Sequence, residues 1–458
     1  MVDFHRDFPV SIVAMKTPRS INWLPVCLTL LLALRAPTLF AAPPYEPKPA
    51  DPYFAKFNPM KAPDIGPLLL QPGDRLAIIG DSITEQKMYS RIIEDYVTAC
   101  LPELKITVRQ LGWSGETAEG FRKRMDSDCL RFRPTVATLC YGMNDAKYRP
   151  FDVVNGEWYR DNYEAVVRAL TQSGARVVLG SPGCTGRVAR WGKTPDTTLD
   201  EQNINLLALR DLDILIAQKE QTRFADVFWT MFKAQFDANN KYGTNTPYEV
   251  SGHDGVHPKW AGHLVMAYSF LKAMGLDGDL GAIRVDLQAN TATATSGHTI
   301  DSFTNNEVTI TSTKYPFCAD GSVTNDNTIR SGATLVPFFQ DLSRFELIVT
   351  HAPAASYQVT WGDTARTYTA AQLEAGVNLA DDFVTNPFSA AFAKVDAAVA
   401  AKQAYETKQI KQIFHGPAGK ADINKAVADT EAERAPLAAA IASAVAPVTH
   451  TIRLVPVQ

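Results

Sequence analysis

Four short segments of the chain carry side chains that can do chemistry together: Gly80-Asp81-Ser82-Ile83-Thr84, Ser114-Gly115-Glu116-Thr117, Gly142-Met143-Asn144-Asp145 and Asp254-Gly255-Val256-His257-Pro258. Ser82 offers a hydroxyl nucleophile. Asp254 stands three residues before His257, a spacing that on a tight turn lets a carboxylate fix the imidazole tautomer and stabilise the imidazolium formed when the base takes a proton. The backbone N–H groups of Ser82 and Gly115 and the side-chain amide of Asn144 are donors for an oxyanion. Nucleophile, base, orienting carboxylate and oxyanion donors are the parts that acyl transfer through a serine requires. Each segment alone has a plainer explanation. Asp81 or Ser82 can cap a helix, Gly115 can be a turn glycine, Asn144 an Asx-turn, and Asp254 a cap beside an ordinary loop histidine. The four together outweigh those explanations. His253 and His263 have no carboxylate at that spacing and are expected to be structural.

Such residues must sit at the ends of elements that hold them still. Apolar runs predict strands at 76–79, 106–111, 136–141 and 176–180, with a last core strand at 224–228. Helical spacing of apolar residues follows at 87–97, from about 117, at 199–221 and at 259–268, where Pro258 suits the first helical position. Strands alternating with helices predict an α/β fold with a parallel sheet covered on both faces. Ser82, Gly115 and Asn144 then fall at C-terminal strand ends next to helix starts, where open α/β sheets place their sites.

With these residues in hand, the chain resembles the GDSL family of esterases and lipases in its SGNH hydrolase branch, over about 72–277. The match is carried by Ser82, Gly115, Asn144 and His257 with Asp254, one block each; Ile83 stands where the family name has leucine. The resemblance implies a flavodoxin-like three-layer sheet, a catalytic Ser82–His257–Asp254 triad, and an oxyanion hole made of Ser82, Gly115 and Asn144. It also implies no metal or organic cofactor. Members deacetylate polysaccharides, cleave lipids or thioesters, or transfer acyl groups. An ester on a carbohydrate, O-acetyl or similar, is the favoured substrate; a lipase, thioesterase or acyltransferase is the alternative. From another class, the alternative is a non-catalytic carbohydrate-binding envelope protein, against which the intact proton relay argues. Asp81, Trp113, Tyr141 and Trp191 are candidate substrate-binding residues, the aromatic ones as stacking surfaces.

The 458 residues exceed one average domain, and a net charge of −4 leaves no basic footprint for nucleic acid. No long apolar run occurs beyond the N-terminus, so no stable membrane span is expected in the mature chain. Lys16 and Arg19, the apolar run 23–34 and the small residues Ala41 and Ala42 read as a signal peptide over 1–42, which predicts a secreted or periplasmic protein; Met15 suits the start better than Met1. Five of the six cysteines lie beyond it, too few for a disulfide scaffold and without zinc-site spacing. A proline-rich strap or linker at 43–71 precedes the catalytic domain at 72–281. Short β-rich runs at 308–312, 345–350 and 357–361 define an accessory region at 282–386, and 387–458 reads as a helical hairpin with a terminal strand. The C-terminal third holds no second catalytic set and is expected to pack against the catalytic domain.

Overall fold

Five runs in which nearly every side chain is buried build the central sheet: β1 (Arg75–Gly80), β2 (Thr107–Gln110), β3 (Val136–Cys140), β4 (Arg176–Gly180) and β5 (Arg223–Ala225). The structure is a computed structural model that describes residues 44–189, 196–243 and 248–457. The expected signal segment and Trp191 lie outside the described residues. All pairings in the sheet are parallel, with Leu76 opposite Val108 and Val136, in the order β2-β1-β3-β4-β5. This is the flavodoxin-like order, whose direction reverses between β1 and β3. The predicted strands stand within a residue or two of the observed ones except the last. Asp226 accepts the Trp229 N–H and opens the helix Val227–Tyr242, which cuts the strand short.

Residues 44–71 are a strap with buried contacts, not a loose linker. Phe54 and Phe57 are buried against Phe236 and Phe232 of that helix, at ring-centroid distances of 4.8 and 4.6 Å. Aromatic burial of this kind tethers a proline-rich chain whose 3-10 turn, Pro52–Lys56, carries Phe54.

The C-terminal region is a sandwich of two sheets. One contains β6 (Asp279–Asp286), β7 (Thr291–Ala294), β10 (Arg344–Thr350) and β13 (Val377–Asn378). The other contains β8 (His298–Thr304), β9 (Glu307–Ser312), β11 (Ser356–Trp361), β12 (Thr364–Thr369) and β14 (Val448–Val457). Phe345 of the first sheet meets Trp361 and His450 of the second at 5.8 and 6.2 Å between ring centroids. The hairpin helices Ser389–Lys408 and Ile423–Ala444 pack on each other. They are inserted between strands of this sandwich, since β14 returns to lie between β11 and β9. Side chains of the hairpin also cover the outer edge of β2. Lys402 and Arg434 donate to the Val108 carbonyl at 2.5 and 3.0 Å, and Glu406 accepts the Gln110 N–H at 3.0 Å.

Candidate active site

β1 ends in Gly80, and the next residue, Asp81, turns its side chain back to accept the Ile83 N–H at 2.9 Å, capping the short helix Ser82–Glu85. The cap and the nucleophile candidate are therefore adjacent residues with separate tasks. Ser82 Oγ lies 2.8 Å from His257 Nε2, and His257 Nδ1 lies 2.6 Å from Asp254 Oδ2. The second Asp254 oxygen accepts the backbone N–H groups of Val256 and His257 at 2.9 and 2.8 Å. Burial works to raise the Asp254 carboxyl, but those N–H groups and the imidazole outweigh it and hold the group below the usual carboxylate range. An ionised Asp254 accepts only, so Nδ1 carries the ring proton and Nε2 is left to accept from Ser82. The turn needs Gly255: its φ is +82°, and a Cβ there would stand 2.4 Å from Arg187 Cγ. Pro258 lies before the helix Trp260–Ala273 rather than at its first position, because Lys259 occupies the cap.

Gly115 follows β2 on an exposed loop, with φ +75° and open space where a side chain would stand. Its flank is tied to the sheet by Trp113 N–H, which donates to the Gly80 carbonyl at 3.0 Å. Asn144 follows β3, and its Nδ2 donates to the Glu116 carbonyl at 2.9 Å and to Asp81 Oδ2 at 3.4 Å. Asp145, fully buried, accepts the N–H groups of Ala118 and Gly142 at 3.0 and 3.1 Å and so joins the two loops. Burial pushes Asp81 and Asp145 up to about 7, partly offset by the backbone donors each accepts from. Lys147 and Tyr148 both adopt left-handed backbone, at φ +55° and +48°, just past Asn144. Non-glycine residues held there concentrate at functional sites. The four segments thus meet at the β1/β3 reversal, with Ser82, Asn144 and His257 half-buried and reachable from outside.

Two expectations for substrate contacts change. Tyr141 is fully buried, and its hydroxyl donates to Glu116 at 2.5 Å, so it offers no stacking face. Asp81 is buried as a cap and an Asn144 partner, which leaves little of it for a substrate. Trp113 is half-buried at the loop and keeps an accessible surface. His263 is fully buried, with Nδ1 accepting the Tyr89 N–H at 3.2 Å; burial lowers its pKa to about 3, so it is structural. Sequence reasoning passed over Glu85, Glu116 and Arg124. Arg124 binds both Glu116 oxygens at 2.6 Å. Glu116 lies in the Ser114–Thr117 segment and Glu85 three residues after Ser82, but nothing in the local sequence marks either as a support. Among the described residues no cluster of histidine, cysteine, aspartate and glutamate could hold a metal ion.

Residues 78–265 match the GDSL-like lipase/acylhydrolase family. The chain is 26% identical over 226 residues to an acetylxylan esterase from Geobacillus stearothermophilus, a match covering 45% of this chain and 95% of that protein. A solved structure of a gut microbial diltiazem-metabolizing enzyme superposes with a TM-score of 0.67 at 21% identity, covering 86% of this chain and 100% of that one. That likeness of fold takes in most of the C-terminal region. The structure of an acetylxylan esterase from the same Geobacillus species covers 46% of this chain and 97% of its own, at 21% identity and a TM-score of 0.37.

Proposed function

We propose, on the premise that residues 78–265 make this chain a GDSL-like lipase/acylhydrolase and an esterase of that family, that Ser82, His257 and Asp254 carry the reaction and that its substrate is an O-acetyl or similar short ester on a carbohydrate. The observation that carries the catalytic reading is the unbroken relay from Ser82 Oγ to His257 Nε2 at 2.8 Å and from His257 Nδ1 to Asp254 Oδ2 at 2.6 Å. Ser82 Oγ attacks the ester carbonyl carbon while its proton passes to His257 Nε2. The carbonyl oxygen becomes an oxyanion facing the Ser82 and Gly115 N–H groups and the Asn144 amide, each donor contributing about 2.7–4 kcal/mol by general precedent. His257 gives the proton to the departing alcohol, and the acyl group stays on Ser82. Water then attacks the acyl carbon, His257 takes the water's proton and returns it to Ser82, and the acid leaves.

Two observations support the carbohydrate ester. A 26%-identical relative is named for acetylated xylan. The half-buried Ser82 and His257 and the open space beside Gly115 admit an ester presented on a bulky chain. Export after removal of 1–42 belongs to the same proposal and fits an extracellular polymer. Hydrolysis of 4-nitrophenyl acetate and release of acetate from acetylated xylan test it. Wild type should do both, and Ser82→Ala should do neither. Activity retained in Ser82→Ala would end the triad reading; activity confined to long-chain esters or acyl thioesters would end the carbohydrate one.

A further inference from the structure

The loop that carries Gly115 is gripped by residues nearly three hundred positions away, outside the family segment. Lys411, in the π-helical stretch Gln409–Phe414, binds both oxygens of Glu85 at 2.8 and 2.9 Å. Glu85 belongs to the helix that Ser82 opens, and its carboxylate accepts the Ser114 N–H. Lys411 Nζ also stands 5.3 Å from the Trp113 ring centroid. One turn on, the His415 ring meets Trp113 edge-on at 5.0 Å, and its Nε2 bonds Asp128 at 2.8 Å. Asp128 bonds Arg124 at 3.2 Å, and Arg124 holds Glu116. The residues on both sides of Gly115 are therefore restrained by one short segment of the C-terminal region.

Gly115 has no side chain and sits exposed in left-handed backbone, so nothing of its own fixes the direction of its N–H. That direction is set by the neighbouring peptides. We propose that Lys411 is a positioning residue for ester hydrolysis: it pins Glu85, Glu85 pins the Ser114 N–H, and the Gly115 N–H is thereby aimed at the oxyanion. The proposal rests on the reading of Gly115 as an oxyanion donor. Burial would raise the Glu85 carboxyl, but bonds from Lys411 and Ser114 override it and hold it below its usual value, so it stays an acceptor. Removing Lys411 leaves the burial and takes away the largest opposing contact.

The test uses full-length Lys411→Met and Lys411→Arg with 4-nitrophenyl acetate, beside Ser82→Ala and Asn144→Ala. A displaced donor costs about 10²-fold or less, below the loss for a deleted one. Lys411→Met should lower kcat by about 10- to 100-fold with KM within about twofold, with Lys411→Arg recovering most of it. Affinity for a boronic acid that mimics the tetrahedral adduct should fall in parallel in Lys411→Met, with the urea midpoint reported for each variant. Unchanged kcat, a raised KM at constant kcat, or loss without recovery in Lys411→Arg would overturn the proposal. Wild-type kcat retained in Ser82→Ala and Asn144→Ala would instead overturn the catalytic reading beneath it.

Discussion

Asn144 shows how one side chain is committed before any substrate arrives. Its Nδ2 faces the Glu116 carbonyl and Asp81, and the Tyr148 hydroxyl donates to its Oδ1 at 3.5 Å, so the amide has one orientation and cannot turn its oxygen toward the oxyanion. In the proposed reaction the oxyanion takes the Nδ2 hydrogen now held by the long 3.4 Å contact to Asp81, while the shorter bond to Glu116 keeps the amide in place, so the group would stabilise charge present only in the transition state. Asn144→Ala should therefore lower kcat by about 10²–10³ with little change in KM, read from initial rates on 4-nitrophenyl acetate. Unchanged kcat with raised KM would make Asn144 a substrate-positioning group. The meeting of Ser82, His257 and Asp254 was legible because each stands in a local context of a few residues: a strand end for one, a carboxylate and a histidine at fixed spacing for the other two. Tyr141 was misread because an aromatic at a strand end looks alike whether it points inward to Glu116 or outward to solvent. The contact of Lys411 was illegible, since its partner Glu85 lies 326 positions away and helical patterning says nothing of which distant carboxylate a lysine meets.

Elements follow the same division. β1, β3 and β4 were legible to within a residue or so because strands buried on both faces read as continuous apolar runs. β7, β8 and β12 were not, since they are rich in threonine and largely exposed. The sandwich is instead specified by a buried polar chain that only the fold assembles. Trp361 Nε1 donates to His450 Nδ1 at 3.1 Å; His450 Nε2–H then donates to Ser312 Oγ at 3.0 Å. Ser312 in turn donates to His298 Nδ1 at 2.8 Å, and His298 Nε2–H donates to the Leu280 carbonyl at 2.9 Å. Every donor finds an acceptor only while both imidazoles are neutral. Burial lowers His450 to about 3 and moves His298 down as well. Since the unfolded histidine titrates near 6.5, folding has its full stability above that pH. As the pH falls from 6.5 toward 3, only the unfolded chain protonates His450, and stability drops by up to about 1.4 kcal/mol per unit on its account, with His298 acting in the same direction. Asp81 and Asp145, raised to about 7, work in the opposite sense, gaining stability as the pH falls below 7. The difference between wild type and His450→Gln separates the two. Urea midpoints should converge as the pH is lowered from 6.5 to 4; a constant gap would show that His450 is not held neutral.

At the scale of the whole molecule, the C-terminal region closes what the catalytic sheet leaves open. β2 is the outermost strand of a parallel sheet, and an unpaired strand edge is a template for association with another chain. Here its backbone is occupied by Lys402, Arg434 and Glu406 rather than by another strand. Those ions pair among themselves and with Glu94, with Lys402 lying 2.9 Å from Glu94 and 3.1 Å from Glu406, all three buried. Taking away one side of such a network leaves charge buried without a partner, at a cost of about 3–5 kcal/mol for a single pair. The hairpin is held in turn by the sandwich into which it is inserted, so neither part is dispensable alone. A chain ending at residue 281 would strand Glu94, uncover the Val108 carbonyl and the Gln110 N–H, and release Glu85 and Trp113 from Lys411 and His415. It should elute from size exclusion as aggregate, and any monomer recovered should turn over even 4-nitrophenyl acetate well below the wild-type kcat. A truncated chain that is monomeric, as stable to urea as the full protein and equally fast on that small ester would show that the region is an independent module, since neither the β2 edge nor the Gly115 loop would then depend on it.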